Sequence, residues 1–401
     1  MLGVKTAALP ASLRRTNQRT VITLLSRLGS ASRADLAKAA GISQPTAGKI
    51  TSELLELGVL QEAGSASEDE VNGNGTPRLG RPGQLLRLDD RHPRFLVVEL
   101  GVAETSLAAL PVAVKLEDRW TRHFVTPKSP EAWLKALRSA ASGFPRTQLW
   151  GVLISVPGIV DEAAGKVLFS PNLHWLEQTS LPQLVGQAWE APVLLQQEIR
   201  ALALGHLMAE PSREDFFLAD FGEGAGGAIV MEGKLYQNPM PISGEFGHTP
   251  VAGNTRACGC GAVGCLETLV SRRGLLQSFA ERSQRPAGRA PKWEELVEHV
   301  GRSGIEPWLA EALDATANVI SGGLNMLGLH RVIVTGLLPE LPGCVEHLAA
   351  KINQGALWGR FGEAVCQSAP HRRAAGLVAT GIDRLVLPDA DEKRMAFPAI
   401  K

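Results

Sequence analysis

The chain is predicted to be an α/β protein with a winged helix-turn-helix at its front end and a larger body of alternating strands and helices behind it. Three observations predict this. Between residues 16 and 58 helical periodicity is punctuated by Ser and Gly where short helices start and stop. From residue 94 onward apolar β-rich runs alternate with helical patterns. Finally, the Gly-rich stretch His248 to Glu267 gathers one His and three of the five Cys.

Composition sets the outer bounds. A chain of 401 residues, 44% hydrophobic, can bury a sizeable core, and its length suits about two or three domains. No apolar run is long enough to span a bilayer. No N-terminal segment has the charged start and apolar core of a secretion signal, so the expected location is the cytoplasm. The net charge of +0 conceals an asymmetry. Met1 to Glu62 holds eight Lys or Arg against four Asp or Glu, which suits an anionic partner.

The front end, residues 1–90, reads as the DNA-binding module. Val21, Leu24, Leu25 and Leu28 mark one face of a helix over Thr16 to Leu28, and Gly29 stops it. Ser32 stands where an N-cap belongs, with Asp35 three residues on, so Arg33 to Ala40 forms a short helix ended by Gly41. Ser43 caps a second helix that carries Pro45 in its first turn, where a missing N–H costs nothing. It runs to about Gly58 with Ile50, Leu54 and Leu57 inward. Its outer face is expected to offer Gln44, Thr46, Lys49 and Thr51 to a DNA groove, while Lys49, Arg14, Arg15 and Arg19 suit phosphates. A polar stretch from Gly64 to Gly75 leads to Arg78-Leu79-Gly80-Arg81-Pro82-Gly83 and a strand-like Gln84 to Leu88. This reads as a wing that sets Arg78 and Arg81 beside the DNA backbone or in the minor groove. Acidic Glu68, Asp69 and Glu70 keep the whole tip from lying on phosphate. The alternative is a helical protein-interaction domain.

Residues 91–401 form the body. Arg94 to Leu100, Leu149 to Val156, Phe216 to Phe221 and Arg331 to Thr335 read as buried strands. Helical patterns cover Trp133 to Ser142, Ala201 to Met208 and Ala310 to Leu327. Two lobes are expected, about 91–200 and 201–401, hinged near Glu198 to Gly205, with a polar tail of no assigned role at Asp389 to Lys401.

His248, Cys258, Cys260 and Cys265 make a soft four-ligand shell for zinc. Four protein ligands leave no open position for a metal-bound water, so this zinc is expected to be structural. Gly259, Gly261 and Gly264 let the backbone wrap one ion. Free thiols are the alternative, and a disulfide between Cys258 and Cys260 is disfavoured by their closeness.

The run Gly244-Glu245-Phe246-Gly247-His248, followed by Cys-Gly-Cys-Gly-x-x-Gly-Cys-Leu-Glu, resembles the signature of the ROK family of repressors, open reading frames and sugar kinases. The front end is similar to its repressor branch. Also similar are Gly151 to Gly158, Ser170-Pro171-Asn172-Leu173-His174-Trp175, and the loop Gly222 to Gly227 before a hairpin that ends at Tyr236. The resemblance implies a body of the actin-like ATPase (ribonuclease H-like) sugar-kinase type, with a sugar bound between the lobes and zinc fixing one wall. It implies that Asn172, Glu245, His248 and Glu267 hydrogen-bond sugar hydroxyls, with His248 serving metal and ligand both. It further implies a homodimer or a dimer of dimers.

The sequence departs from the kinase pattern at several independent parts of the reaction. Gln197-Glu198 stands at the family's Asn-Asp pair, so the residue at the base position is one methylene longer, and a displacement on the order of 1 Å costs about a hundredfold in rate. Gln197 and Glu198 retain the capacity to bind sugar. Glu99-Leu100-Gly101-Val102-Ala103 replaces the Asp-x-Gly-Gly-Thr phosphate motif, Glu223 replaces a Thr in the second phosphate loop, and Thr335-Gly336-Leu337 replaces a Gly-Gly pair. The expected function is therefore a sugar-responsive transcriptional regulator, a repressor by family precedent, and not an enzyme. The rivals are an ATP-dependent sugar kinase with an accessory DNA-binding head, and a regulator for which the metal itself is the signal.

Overall fold

The computed structural model describes residues 10–65, 84–114, 117–209, 214–236, 242–282 and 290–387. The front end opens with α1 (Pro10–Leu28), β1 (Ala31–Ser32), α2 (Arg33–Ala40), α3 (Gln44–Glu56), β2 (Leu60–Ser65) and β3 (Gln84–Leu88). The caps fall where the sequence places them. Ser32 Oγ accepts from the Asp35 N–H at 3.2 Å and Ser43 Oγ from the Thr46 N–H at 3.3 Å. Gly41 closes α2 in the left-handed region at φ 66°. Helix α1 starts six residues ahead of the expected Thr16, at Pro10, a residue that suits a helix's first turn. Val21, Leu25, Leu36, Ile50, Leu54 and Leu86 share one core. The strands pair antiparallel in the order β1-β3-β2, giving a helix-turn-helix with a winged sheet. Arg78 and Arg81 lie outside the described residues, as does the tail from Asp389.

The body begins with β4 (Phe95–Leu100), β5 (Glu104–Leu110), β6 (Arg122–Val125), α4 (Pro130–Ala140), β7 (Gly151–Val156), β8 (Ile159–Asp161), β9 (Lys166–Phe169), α5 (Leu181–Gly186), β10 (Val193–Gln197) and α6 (Glu198–Ala209). It continues with β11 (Phe216–Phe221), β12 (Ala225–Met231), β13 (Lys234–Leu235), α7 (Glu267–Val270), α8 (Arg272–Arg282), α9 (Trp293–Ser303), α10 (Pro307–Leu327), β14 (Arg331–Gly336), α11 (Cys344–Gly355), β15 (Val365–Ser368) and α12 (Arg373–Gly381). Each lobe is built on a five-stranded sheet, ordered β10-β7-β4-β5-β6 in the first and β13-β12-β11-β14-β15 in the second. The four expected apolar runs form β4, β7, β11 and β14, and two strands not expected from the sequence, β10 and β15, pair parallel with β7 and β14 at the sheet edges. Antiparallel hairpins extend both sheets, so they are mixed. Among the described residues no helix is long and apolar enough to cross a membrane.

Two features differ from the expected lobe plan. The stretch Glu198 to Gly205, expected to hold a hinge, lies within the continuous helix α6, which follows β10 directly. The C-terminal helix α12 leaves the second lobe and packs on α6, β4 and β7 of the first. Leu377, Val378 and Ile382 complete a core with Phe95, Val97 and Leu153 that the first sheet leaves open. Helices α6 and α12 meet backbone to backbone. A Cβ on Gly376 would lie 1.7 Å from the Ala201 oxygen and one on Gly205 1.9 Å from the Arg372 oxygen, so neither position has room for a side chain.

Candidate functional site

The loop from His248 to Glu267 folds back on itself. The Val251 N–H donates to the Gly264 carbonyl at 2.8 Å, the Gly264 N–H to Arg256 at 2.9 Å and the Cys258 N–H to Ala262 at 2.8 Å. Arg256 anchors the loop to the helices behind it, donating to the Thr268 carbonyl at 2.9 Å and pairing with Glu281 at 2.9 Å. The fold thereby brings all four expected ligands together: one atom each of His248, Cys258, Cys260 and Cys265, all within 4.8 Å of one another. Cys258 Sγ is 3.6 Å from His248 Nδ1 and Cys260 Sγ 3.7 Å from Cys265 Sγ. A tetrahedral zinc with Zn–S of about 2.3 Å and Zn–N of about 2.0 Å has ligand-to-ligand edges of about 3.8 and about 3.5 Å. The donor set and its size therefore fit one tetrahedral thiophilic ion. Burial pushes the Cys258 thiol up to about 12, so its thiolate needs a cation beside it.

The cleft side of this loop carries the polar residues. Gln197, at the end of β10 in the first lobe, donates from Nε2 to Glu245 Oε1 across the cleft at 3.4 Å. His248 turns Nδ1 toward Cys258 and Nε2 toward Glu245, whose Oε2 is 3.8 Å away, so one ring links the metal cluster to the cleft. Glu267 Oε2 accepts the Ala225 N–H at 3.0 Å. Asn172 is exposed on a first-lobe loop. Its neighbour Pro171 sits against the metal loop, 3.5 Å from where a Cβ on Gly259 would be. Burial raises the Glu245 carboxyl above its usual range. Carboxylates, a carboxamide and an imidazole facing one cleft can accept several O–H donors at once, which is the chemistry of polyol recognition.

Next to Glu198 lies a charged cluster that sequence reasoning missed. Arg373, only 4% exposed, pairs through Nη1 with Glu99 in the first lobe, and its Nη2 lies 3.8 Å from Asp220 Oδ2 in the second. Asp118 accepts the Arg373 N–H at 3.1 Å and the Ala374 N–H at 2.7 Å. Asp220 also takes the Thr335 hydroxyl at 2.7 Å and faces His371 Nε2 at 2.9 Å. Burial pushes Glu198 up to about 7, with Asp220 and Glu99 adding to the rise and Arg373 opposing it. For Asp220 burial also works upward, but His371, Arg373 and Thr335 outweigh it and hold the carboxyl down at about 2. Around the departed phosphate motifs the groups are already engaged. The Gly101 N–H donates to the Glu104 carbonyl at 3.0 Å, and Glu223 lies 3.6 Å from Arg272. The missed residues, Asp118, Asp220, His371 and Arg373, are scattered along the chain, and the local signals were acids inside apolar strands, Glu99 in β4 and Asp220 in β11.

A sequence profile for the ROK family matches residues 95–382. The chain belongs to the ROK family. Among its curated relatives is the xylose repressor of Caldicellulosiruptor bescii, 27% identical over 276 residues that span 67% of each chain, about two thirds of the relative's length. The N-acetylglucosamine repressor of Escherichia coli O157:H7 is 22% identical over 375 residues, 84% of this chain and 86% of that one. In the solved structures, a ROK transcriptional regulator described as a homologue of the Escherichia coli MLC protein superposes with a TM-score of 0.69 at 20% identity, covering 94% of this chain and 97% of the other. A ROK glucokinase from Streptomyces griseus, in complex with glucose and AMPPNP, superposes at 0.56 and 23% identity over 71% of this chain and 98% of its own. The body is thus the ROK sugar-kinase fold.

The ROK match begins beyond the winged helix, which stands on its own geometry. Gln44 and Lys49 are exposed on α3, and Thr46 is half-buried with its hydroxyl 2.8 Å from Ser43 Oγ. Thr51 corrects the expected DNA face. It is fully buried, donating to the Ala47 carbonyl at 2.9 Å and facing Arg33 Nε at 3.2 Å, because position 51 shares the inner stripe with Ala47 and Leu54. Of the expected phosphate-binding arginines of α1, Arg14 and Arg19 are exposed and Arg15 is buried, and each makes an ion pair. Arg14 pairs with Glu53 at 2.7 Å, while Arg15 and Arg19 pair with Asp383 beyond α12.

Proposed function

We propose that this ROK protein is a sugar-responsive transcriptional repressor of the cytoplasm, binding double-stranded operator DNA through α3 and its wing as a homodimer or dimer of dimers, without kinase activity. The observation that carries the reading is Arg373. A guanidinium seated among Glu99, Glu198 and Asp220 places a fixed positive charge where carboxylates would otherwise be free to hold a metal–nucleotide complex. The cleft beside it keeps Gln197, Glu245, His248 and Glu267 for sugar hydroxyls, with Asn172 and Glu198 completing the set. Relatives named as xylose and N-acetylglucosamine repressors support the same reading.

In this mechanism a sugar bridges Gln197 and Glu198 of the first lobe to Glu245 and Glu267 of the second, and so favours one relative placement of the lobes. Operator affinity then changes by the sugar's differential affinity for the two states. His248, Cys258, Cys260 and Cys265 would hold zinc, which would serve as a structural tie with no reactive position. His248 turns its second nitrogen toward Glu245 and the cleft.

One observation favours the rival enzyme reading. Glu198, whose carboxyl burial raises toward neutral pH, would suit a general base. One experiment separates the two. The purified full chain is titrated onto DNA from upstream of its own gene, by fluorescence anisotropy, with D-xylose, D-glucose or N-acetyl-D-glucosamine, each with and without Mg-ATP. One of these sugars should weaken DNA binding without ATP, and metal analysis of the same preparation should give one zinc per chain. ATP consumption with a sugar, abolished by Glu198→Gln, alongside DNA binding that ignores every sugar, would establish the kinase instead.

A further inference from the structure

We infer that helices α6 and α12 act as one rigid transmission unit from the cleft to the DNA-binding head, with Asp383 as its coupling contact. This rests on the repressor reading. Helix α6 runs from the cleft to α1, and α12 runs from the cleft to the turn whose Asp383 meets α1. Glu198 is the first residue of α6, and nine and ten residues on, the Leu207 and Met208 carbonyls receive Arg27 of α1 at 3.3 and 3.2 Å. Arg373 is the first residue of α12, and Asp383, just past its end, holds Arg15 and Arg19 of α1. The Asp383 carbonyl accepts Arg15 as well, at 3.0 Å.

The two helices cannot slide independently, because at Gly205 and Gly376 their backbones are in direct contact. Glu162 ties the unit to the cleft at a second point. Its side chain accepts the Gln197 N–H at 3.2 Å and Arg200 at 2.8 Å, and its carbonyl accepts Arg384, the neighbour of Asp383, at 3.1 Å. Helix α1 is therefore pinned along its first half and middle, at Arg15 and Arg19, by Asp383, and near its C-terminal end, at Arg27, by the last turn of α6. Its apolar face packs in the same core as Leu377, Ile382 and Leu385. A shift of Gln197, Glu198 or Arg373 on sugar binding moves both pins together, and α1 carries α2 and α3 with it.

The test uses Asp383→Asn and Arg19→Gln in the full chain, with whichever of D-xylose, D-glucose and N-acetyl-D-glucosamine shifts the wild-type DNA affinity. Three quantities are read: sugar affinity by calorimetry, DNA affinity without sugar, and DNA affinity at saturating sugar. Wild type should show a ratio of the last two in the range of about 5- to 150-fold. Both variants should bind sugar as wild type does while that ratio collapses toward one. A full wild-type ratio in both variants would overturn the inference. So would an Arg19→Gln variant that loses DNA affinity equally with and without sugar, since Arg19 would then be a phosphate ligand and not a pin. A wild type that binds sugar and DNA with no influence of one on the other would instead remove the repressor reading on which this rests.

Discussion

Glu198 is expected, by resemblance, at the kinase's base position, and its surroundings decide its behaviour more than its identity does. Burial beside Asp220 and Glu99 lifts its carboxyl from 4.5 to about 7, against the pull of Arg373. The folded chain therefore binds more protons there than the unfolded chain between pH 4.5 and about 7, and stability falls as pH rises through that window. Glu198→Gln should flatten this decline, gaining about 1–3 kcal/mol over wild type between about pH 5 and about pH 8 in urea unfolding. The stability that His371 draws from Asp220 declines in the same direction in both proteins, so the difference between them reports Glu198 together with its coupling to His371. Parallel pH profiles would mean that Glu198 is solvated. The sequence identified Glu198 as a departure from the family pair. It gave no sign of Arg373, because the charges that surround Glu198 come from β4, β11, α12 and the turn before α12.

At the scale of the element, α3 shows how far a local pattern reaches. Ser43, Pro45 and the apolar spacing fixed its start and register, since caps and the 3.6-residue period are properties of neighbouring residues. They did not fix which polar residue faces out. Thr51 lies one position from Ile50 on the inner stripe, and its hydroxyl is satisfied by the helix's own carbonyls, which lets a polar side chain pass for a surface one. Lys49 is exposed and has the opposite character. Lys49→Ala should weaken operator binding, reduce the slope of log affinity against log salt by about one, and leave sugar affinity unchanged. An unaltered salt slope would take Lys49 off the DNA.

For the whole molecule the decisive question is what joins two lobes and a head that the chain lays out in sequence. The α12 segment is buried on nearly every side, and nothing near it in sequence indicates its return to the first lobe. Its apolar residues find Phe95 and Leu153 more than two hundred residues upstream. Arg373 is the ionic counterpart of that crossing, linking Glu99 to Asp220. Arg373→Met should cost on the order of 3–5 kcal/mol, because it leaves several buried carboxylates without their cation. Denaturant unfolding measures this, and a cost below about 1 kcal/mol would show that the cluster is open to water.

The sequence by itself determined the capped helices of the front end, strands β4, β7, β11 and β14, and the gathering of His248, Cys258, Cys260 and Cys265. In each the information is local: a cap beside its helix, a run of β-formers, four ligands within eighteen residues. Tertiary structure alone decided the Arg373 cluster, the burial of Thr51, the engagement of Arg15 and Arg19 by Asp383, and the union of α6 with α12. Those depend on which distant surfaces exclude water together, and charge pairing and close backbone contact across hundreds of residues leave no period or spacing in the chain.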